Sequence, residues 1–386
     1  RGGSGPIWDV AARRAPEATC GVAIFIHVEK TGGTTLRNWF ERLERSKARW
    51  LVLGDVFGEE WNVAKDHTRS YRHRRGILED KLEDPDERPL LFIEIHRHIN
   101  LEAEANAKLL KRIRSRMAEK GCATVLTTLL RRPEKQTLSF FMHFGVQEMS
   151  DKPKVYGSSF TSWVAERPNI QSRKIMGSQN RNGVDWDLRN RDRIARVINS
   201  FDLVGLTERF NEYLIMLAHR FGEEDIRYTS SDPNHHKPGG KTSVKYENGV
   251  AVENTIASTD RFAKVLGTDK DRWKPENLQP GEKEALAAAT VVDRELYAAQ
   301  KARFEAEVEA AGPWLASALE AAAAASVNTW FGGQVGVARY KWVPTVDMDA
   351  PGPIRRWYDY YGKNMTMIPN PNWREEDEIP FRGHAA

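Results

Sequence analysis

Residues 23–40, AIFIHVEKTGGTTLRNWF, run from an uninterrupted apolar segment through a Gly-Gly-Thr-Thr turn into a stretch with helical periodicity. That order commits the chain to a strand, a tight loop and a helix in direct succession. Gly32 and Gly33 let the backbone approach an anion closely, and Thr34 and Thr35 place hydroxyls where the free amides of a helix N-terminus point. Leu36, Trp39, Phe40 and Leu43 recur at helical spacing, so one face of the helix can pack back onto the strand. Lys30 precedes the glycines, whereas the lysine of a Walker A loop follows them. The loop is therefore built for an anion but is not a Walker A loop.

A second unit has the same design. Residues 123–130, ATVLTTLL, read as a buried strand, followed by Arg131-Arg132-Pro133 and, six residues after the proline, Ser139. Proline at this point predicts a helix start, so an arginine sits at the strand end and a hydroxyl on the following helix. A guanidinium fork with a hydroxyl suits a terminal phosphate. A third strand candidate, residues 89–95, runs into His96-Arg97-His98. Alternation puts Glu94, His96 and His98 on one face of an extended chain. Histidine titrates near neutrality and suits proton abstraction from a hydroxyl, with Glu94 as a second candidate base. For each histidine taken alone, a purely structural role is the competing reading.

Strands alternating with helices predict a parallel sheet covered on both sides, with ligands at the carboxyl ends of the strands. Residues 54–88 read as a charged region, 101–119 as a helix with Leu109, Leu110, Ile113 and Met117 inward, 208–221 as another helix, and 281–311 as one long charged helix. The last sixty residues carry many aromatics, prolines and glycines with little periodicity. The formal charge of +4 is far from the concentrated basic footprint of a nucleic-acid binder, so no nucleic-acid partner is expected. No run of eighteen apolar residues is present, and a chain opening on Arg1 is expected to be a fragment or a processed form. With only Cys20 and Cys122, a structural zinc site is not expected. Each cysteine precedes one of the two ligand-binding strands; buried free thiols are the favoured reading, and a disulfide is the alternative if those strands are neighbours.

Lys-Thr-Gly-Gly-Thr-Thr at a strand end resembles the 5′-phosphosulfate loop of the sulfotransferases that use 3′-phosphoadenosine 5′-phosphosulfate (PAPS), especially the Golgi carbohydrate branch related to heparan sulfate 2-O-sulfotransferase. Arg131, Pro133 and Ser139 resemble that family's 3′-phosphate site, usually written R-D-P with a serine six residues after the proline. Arg132 stands where aspartate is usual, and Glu29 where proline is common. The stretches 169–177 (NIQSRKIMG), 201–210 (FDLVGLTERF) and 293–297 (DRELY, followed by Phe304) are similar to the same branch and occur in the family order. The His-x-His segment resembles that branch too.

The resemblance implies an α/β, P-loop-like three-layer fold with a central parallel sheet flanked by helices. Its expected organisation is a flexible lead-in (1–20), a sulfotransferase domain (21–311) and a C-terminal extension (312–386). It implies transfer of a sulfuryl group from PAPS to a hydroxyl acceptor, expected on a carbohydrate, with adenosine 3′,5′-bisphosphate leaving and no metal required. Lys30 would stabilise the leaving phosphate; Lys30, Thr31, Gly32, Gly33, Thr34 and Thr35 would hold the 5′-phosphosulfate, and Arg131 and Ser139 the 3′-phosphate. His96 or His98 would be the base. Glu94, Asn169, Gln171 and Arg173 are candidate contacts to substrate or adenosine, with loop capping an equal alternative for the Asn, Gln and Arg segment. The family location is the Golgi lumen, through a type II membrane anchor upstream of the residues seen here. Two competing readings remain: a non-catalytic protein of the same fold that binds anionic glycans, and a P-loop kinase or NTPase, which the lysine order disfavours.

Overall fold

The computed structural model describes residues 20–47, 50–54, 56–57, 68–96, 98–178, 183–226, 228, 241–247, 250–256, 270–320, 340–344, 355–358 and 364–369. The apolar run ahead of the loop forms β1 (Gly21–Ile26), every residue of which is buried. With β2 (Trp50–Gly54), β3 (Leu90–Ile95), β4 (Ala123–Leu130) and β5 (Leu203–Leu206) it makes a five-stranded sheet of order β2-β3-β1-β4-β5. Every pairing in this sheet is parallel.

The chain leaves central β1 for one edge, returns to β3, and then crosses to β4 on the other side of β1. Ligands of open α/β sheets bind outside the carboxyl ends of the strands at such a reversal. The register makes those ends level: Ile26 lies opposite Ile95 on one side and Thr128 on the other.

Helices flank the sheet, an arrangement compatible with three layers. The first, α1 (Gly33–Lys47), buries Leu36, Trp39, Phe40 and Leu43 as their spacing requires, and the Phe40 ring stacks on Phe92 of β3. Next come α2 (Thr68–Glu83) and α3 (Glu104–Glu119), the latter burying Leu109, Ile113 and Met117. On their outer side Arg112 pairs with Glu79 and Glu83, and Arg116 with Glu83 and Glu119, so these arginines face carboxylates of the same protein. The segment read as a charged region, 54–88, therefore contains α2, and β2 ends where it begins.

After β4, Pro133 opens α4 (Pro133–Phe140) at its first position, as the sequence predicts. A π-helical turn (Phe141–Gly145) leads to α5 (Val146–Asp151), α6 (Pro153–Tyr156) and α7 (Phe160–Glu166), which enclose a second, aromatic core containing Phe141, Phe160, Trp163 and Trp273. Then follow α8 (Ile170–Ile175), α9 (Gly183–Asn199) and α10 (Phe210–Arg220).

The expected single helix over 281–311 is two helices, α11 (Pro280–Ala289) and α12 (Val291–Ala311), separated at Thr290. The break has a cause in hydrogen bonding. Asn169 Oδ1 accepts from the amides of Val292 and Asp293, which a continuous helix would have used internally. Beyond α12, Trp314, Leu315 and Ala318 join the main core. The hairpin of β6 (Lys241–Glu247) and β7 (Val250–Ile256) and a three-stranded antiparallel sheet of β8 (Tyr340–Pro344), β9 (Arg355–Tyr358) and β10 (Asn364–Pro369) lie outside the central sheet. The proposed lead-in, apart from Cys20, lies outside the described residues. Among the described residues no helix is long and apolar enough to cross a membrane.

The free-thiol expectation is overturned: Cys20 and Cys122 form a disulfide, with their Cα atoms 5.0 Å apart. The pairing follows from topology, because Gly21 and Ala123 sit opposite each other on adjacent strands and bring the preceding residues together. The bond ties the amino ends of the strands whose carboxyl ends carry the two anion sites expected from the sequence.

Candidate active site

Lys30 has φ = 66°, a left-handed conformation that is uncommon for a residue with a side chain. Such a conformation persists only where the surroundings hold it. Four contacts do so. Arg131 Nη1 donates to the Lys30 carbonyl (3.2 Å), Gln136 Nε2 to the Glu29 carbonyl (2.9 Å), Thr31 Oγ1 to the Val28 carbonyl (2.8 Å), and Thr207 Oγ1 to the Thr31 carbonyl (2.6 Å). The Thr31 side chain is fully buried in this way and faces protein, whereas Thr34 is half-buried at the start of α1.

Gly32, at φ = 97°, makes the reversal, and the amides of Thr35 and Leu36 bond to its carbonyl as the helix begins. Gly33 has a different reason to lack a side chain. A Cβ built there would meet His27 Cδ2 at 2.4 Å and Nε2 at 2.6 Å, so an imidazole lies directly under the loop.

Arg131 is held as well as holding. Gln171 clamps its backbone from both sides, accepting from the Arg131 amide (2.9 Å) and donating to its carbonyl (2.8 Å). This extends the hydrogen-bonding of β4 by one residue, through a side chain instead of a strand. The next amide, that of Arg132, donates to Glu208 Oε1, and the hydroxyl of Tyr297 donates to Glu208 Oε2. Ser139 lies in the second turn of α4 and is half-buried.

On the other side of β1, the register brings three titratable side chains together. His27 Nδ1 and Glu94 Oε1 are 2.5 Å apart, with only 3 % and 6 % of these residues exposed. The second Glu94 oxygen faces Arg37 of α1 at 3.6 Å. Burial pushes the Glu94 carboxyl up, but His27 and Arg37 outweigh it and hold it below the usual carboxylate range. His96, the residue after β3, packs edge-on against the His27 ring with centroids 4.7 Å apart. Burial lowers the His96 pKa, as do His27 and Lys174, against the opposing pull of Glu94 and Glu29.

His98 is pushed down to about 4, mainly by burial and then by Lys174. Its Nδ1 is buried without a hydrogen-bond partner among the described residues.

Lys174 of α8 joins the loop to the histidine segment. It is 1 % exposed, and its ammonium group pairs with the Glu29 carboxylate while donating to the His96 carbonyl at 2.5 Å. Burial raises the Glu29 pKa, but Lys174 reverses the balance and leaves that carboxyl below its ordinary value. Glu29, at a position where the resembling family commonly has proline, thus anchors the chain just ahead of Lys30.

Asn169, Gln171 and Arg173 are all at least nine-tenths buried, and each has protein partners. Besides capping α12, Asn169 donates to Asp187, whose carboxylate also takes the Arg173 guanidinium. Asp293 returns the cap, accepting from the amides of Gln171 and Ser172 and from the Ser172 hydroxyl, while burial pushes its pKa up to about 6. Helices α8 and α12 therefore cap one another. The segment supports the site from beneath through Gln171 and Lys174.

His27, Lys174, Gln136 and Thr207 were not singled out as site residues by sequence reasoning. Their partners are distant in sequence, and the one available signal was the position of His27 between the strand and Lys30. Among the described residues no group of three or more His, Cys, Asp or Glu side chains could hold a metal ion. No family model matches this chain, and a comparison with curated proteins gives no match.

Proposed function

We propose that the protein is a PAPS-dependent sulfotransferase on a P-loop-like three-layer fold, transferring a sulfuryl group to a hydroxyl of a carbohydrate acceptor. The observation that carries this reading is the junction of the two anion-receiving units: Arg131, after β4, bonds to the backbone of Lys30, after neighbouring β1. PAPS has two phosphorylated ends, and two such receptors at one edge of the sheet suit it. Histidines at the end of β3 supply the remaining requirement, a base on the same edge.

In the reaction, the acceptor oxygen attacks sulfur as the bond from sulfur to the 5′-phosphate oxygen breaks, and adenosine 3′,5′-bisphosphate departs with the electron pair. Lys30 and the amides at the start of α1 interact more strongly as charge builds on that phosphate, which is the condition for accelerating the step. Arg131 and Ser139 bind the 3′-phosphate, and a histidine of the 96–98 segment takes the acceptor proton. The lysine and arginine supply the positive charge, so no metal is required. Engagement of Arg112 and Arg116 with carboxylates weighs against the non-catalytic glycan-binding reading. The Cys20–Cys122 bond supports an oxidising compartment such as the Golgi lumen, reached through a type II anchor.

Isothermal titration tests the nucleotide. Adenosine 3′,5′-bisphosphate should bind without magnesium, and ATP with magnesium should bind far more weakly; the reverse order would overturn the reading in favour of a kinase. Turnover of labelled PAPS across a panel of glycans then separates an enzyme from a binding protein.

A further inference from the structure

We infer that two buried pairs, His27–Glu94 and Lys174–Glu29, are positioning devices for His96, making His96 rather than His98 the group that receives the acceptor proton. The inference rests on the sulfotransferase reading and names residues which that reading leaves open. Its basis is that the two pairs grip one residue at different points. The His27 ring, fixed by Glu94 through Nδ1, packs against the His96 imidazole, and Lys174, fixed by Glu29, takes the His96 carbonyl. The backbone is pinned a third time, because the His27 amide donates to the Ile95 carbonyl. An imidazole held at its ring by an edge-to-face contact, at its own carbonyl and at the preceding carbonyl has little freedom to leave the carboxyl edge of β3.

The pairs also set the charge around His96. The groups facing it are His27 just after β1, Glu94 of β3, Arg37 of α1 behind Glu94, Lys174 from α8, Glu29 from the loop, and His98 two residues on. Each pair places a basic group next to His96 and a carboxylate behind it. That arrangement keeps the imidazole neutral before reaction and supplies compensating negative charge once it becomes imidazolium. His98 has the same lysine nearby, but no hydrogen bond at Nδ1 among the described residues fixes its tautomer or orientation. In the step itself, the acceptor O–H proton passes to a ring nitrogen of His96 as the oxygen–sulfur bond forms, and adenosine 3′,5′-bisphosphate leaves.

The test reads His96 directly. In the full chain labelled with 13C-histidine, with the His96 signal assigned by His96→Asn, Glu94→Gln and Glu29→Gln should each move the His96 midpoint down by about half a pH unit or more, and Lys174→Met should move it up. The acid limb of kcat/KM with PAPS should move in the same direction in each variant, and His96→Asn should abolish it. Glu83→Gln, an exposed change on α2, is the control and should leave the midpoint in place. Lys174→Arg should restore much of the rate if Lys174→Met is poorly folded, as judged by circular dichroism. A His96 midpoint unmoved by both glutamine variants would reduce the pairs to structural braces and overturn the inference, as would an acid limb that disappears with His98→Asn and survives His96→Asn. Failure to bind adenosine 3′,5′-bisphosphate would instead sink the sulfotransferase reading, and with it the proton-transfer role, while the midpoints still report whether the pairs govern His96.

Discussion

The guanidinium of Arg131 donates to the carbonyl of Lys30 across 3.2 Å, so the residue at the end of β4 helps hold a left-handed lysine at the end of β1. One arginine thereby has two tasks. It fixes the backbone from which the Lys30 side chain departs, and in the proposed function it also offers charge to a phosphate. Gln171 fixes Arg131 in turn, which makes the two proposed anion sites parts of one hydrogen-bonded unit.

Arg131→Ala is therefore expected to do more than weaken the nucleotide. Charge-assisted hydrogen bonds contribute about 1.5–3 kcal/mol each, so affinity for adenosine 3′,5′-bisphosphate should fall roughly 10- to 100-fold, against a smaller loss for adenosine 5′-monophosphate. Because the Lys30 carbonyl also loses its donor, kcat should fall at saturating PAPS. Calorimetry with both nucleotides and steady-state rates check the two effects separately. Equal weakening of both nucleotides would refute the 3′-phosphate role.

Lys30→Ala should separate the two effects in the opposite sense. In the proposed reaction its contact with the leaving phosphate strengthens as charge develops, so the barrier to turnover should rise by about 3 kcal/mol while affinity for the desulfated nucleotide changes little. Single-turnover rates set beside calorimetric affinities measure the difference. Parallel losses in both would identify Lys30 as a binding residue without selective action in the transition state.

Gly33 offers a test of the imidazole beneath the loop. Gly33→Ala would put a methyl 2.4 Å from His27 Cδ2, a contact that requires the ring or the loop to move. Overpacking of this kind costs about 1–3 kcal/mol. In a double-mutant cycle, Gly33→Ala in a His27→Ala background should cost clearly less, which chemical denaturation can measure. Additive costs would show that the clash is not with His27.

The parts of this site that were legible in the sequence are those with local causes. Gly32 marks the reversal, Pro133 the start of α4, and the spacing of Leu36, Trp39, Phe40 and Leu43 the buried face of α1. What was not legible depends on which strands become neighbours. Glu94 meets His27 only because β3 lies beside β1, and the cysteines meet only because β4 lies on its other side. Lys174 and Glu29 are brought together over a separation of 145 residues with no periodic signal at either end. Charge hid α2 for another reason: its buried face runs Tyr71, Arg74, Leu78 and Leu82, so an arginine interrupts the apolar stripe that would mark the helix. The break at Thr290 was hidden because the groups that cap the new helix come from Asn169.

Removing the disulfide should destabilise the fold without touching the chemistry. Cys20 and Cys122 are 102 residues apart in sequence, and closing a loop of about that length restricts the unfolded chain by roughly 4.7 kcal/mol in the chain-entropy account. The paired Cys20→Ser and Cys122→Ser variant should lose about 2–5 kcal/mol of stability in denaturant, with nucleotide affinity retained under conditions where it is folded. An unchanged midpoint of unfolding would show that the bond adds nothing to the strand pairing around it.

His98 gives the protein a specific acid sensitivity, and the sign follows from linkage. Its pKa falls from 6.5 to about 4 in the folded protein, so between those values the unfolded chain binds the proton more tightly. The favourable contribution is fully present above about pH 6.5 and is lost as the pH falls towards 4, by about 3 kcal/mol at most. Asp293 works the other way: with its pKa raised from 3.8 to about 6, its contribution is present at low pH and is lost as the pH rises through about 6. The two partly cancel across the same window. His98→Gln should remove only the first, so stability measured by urea unfolding should decline less steeply, or rise, on going from pH 6.5 to 4. A decline as steep as that of the unsubstituted protein would mean that His98 is not the group whose protonation weakens the fold.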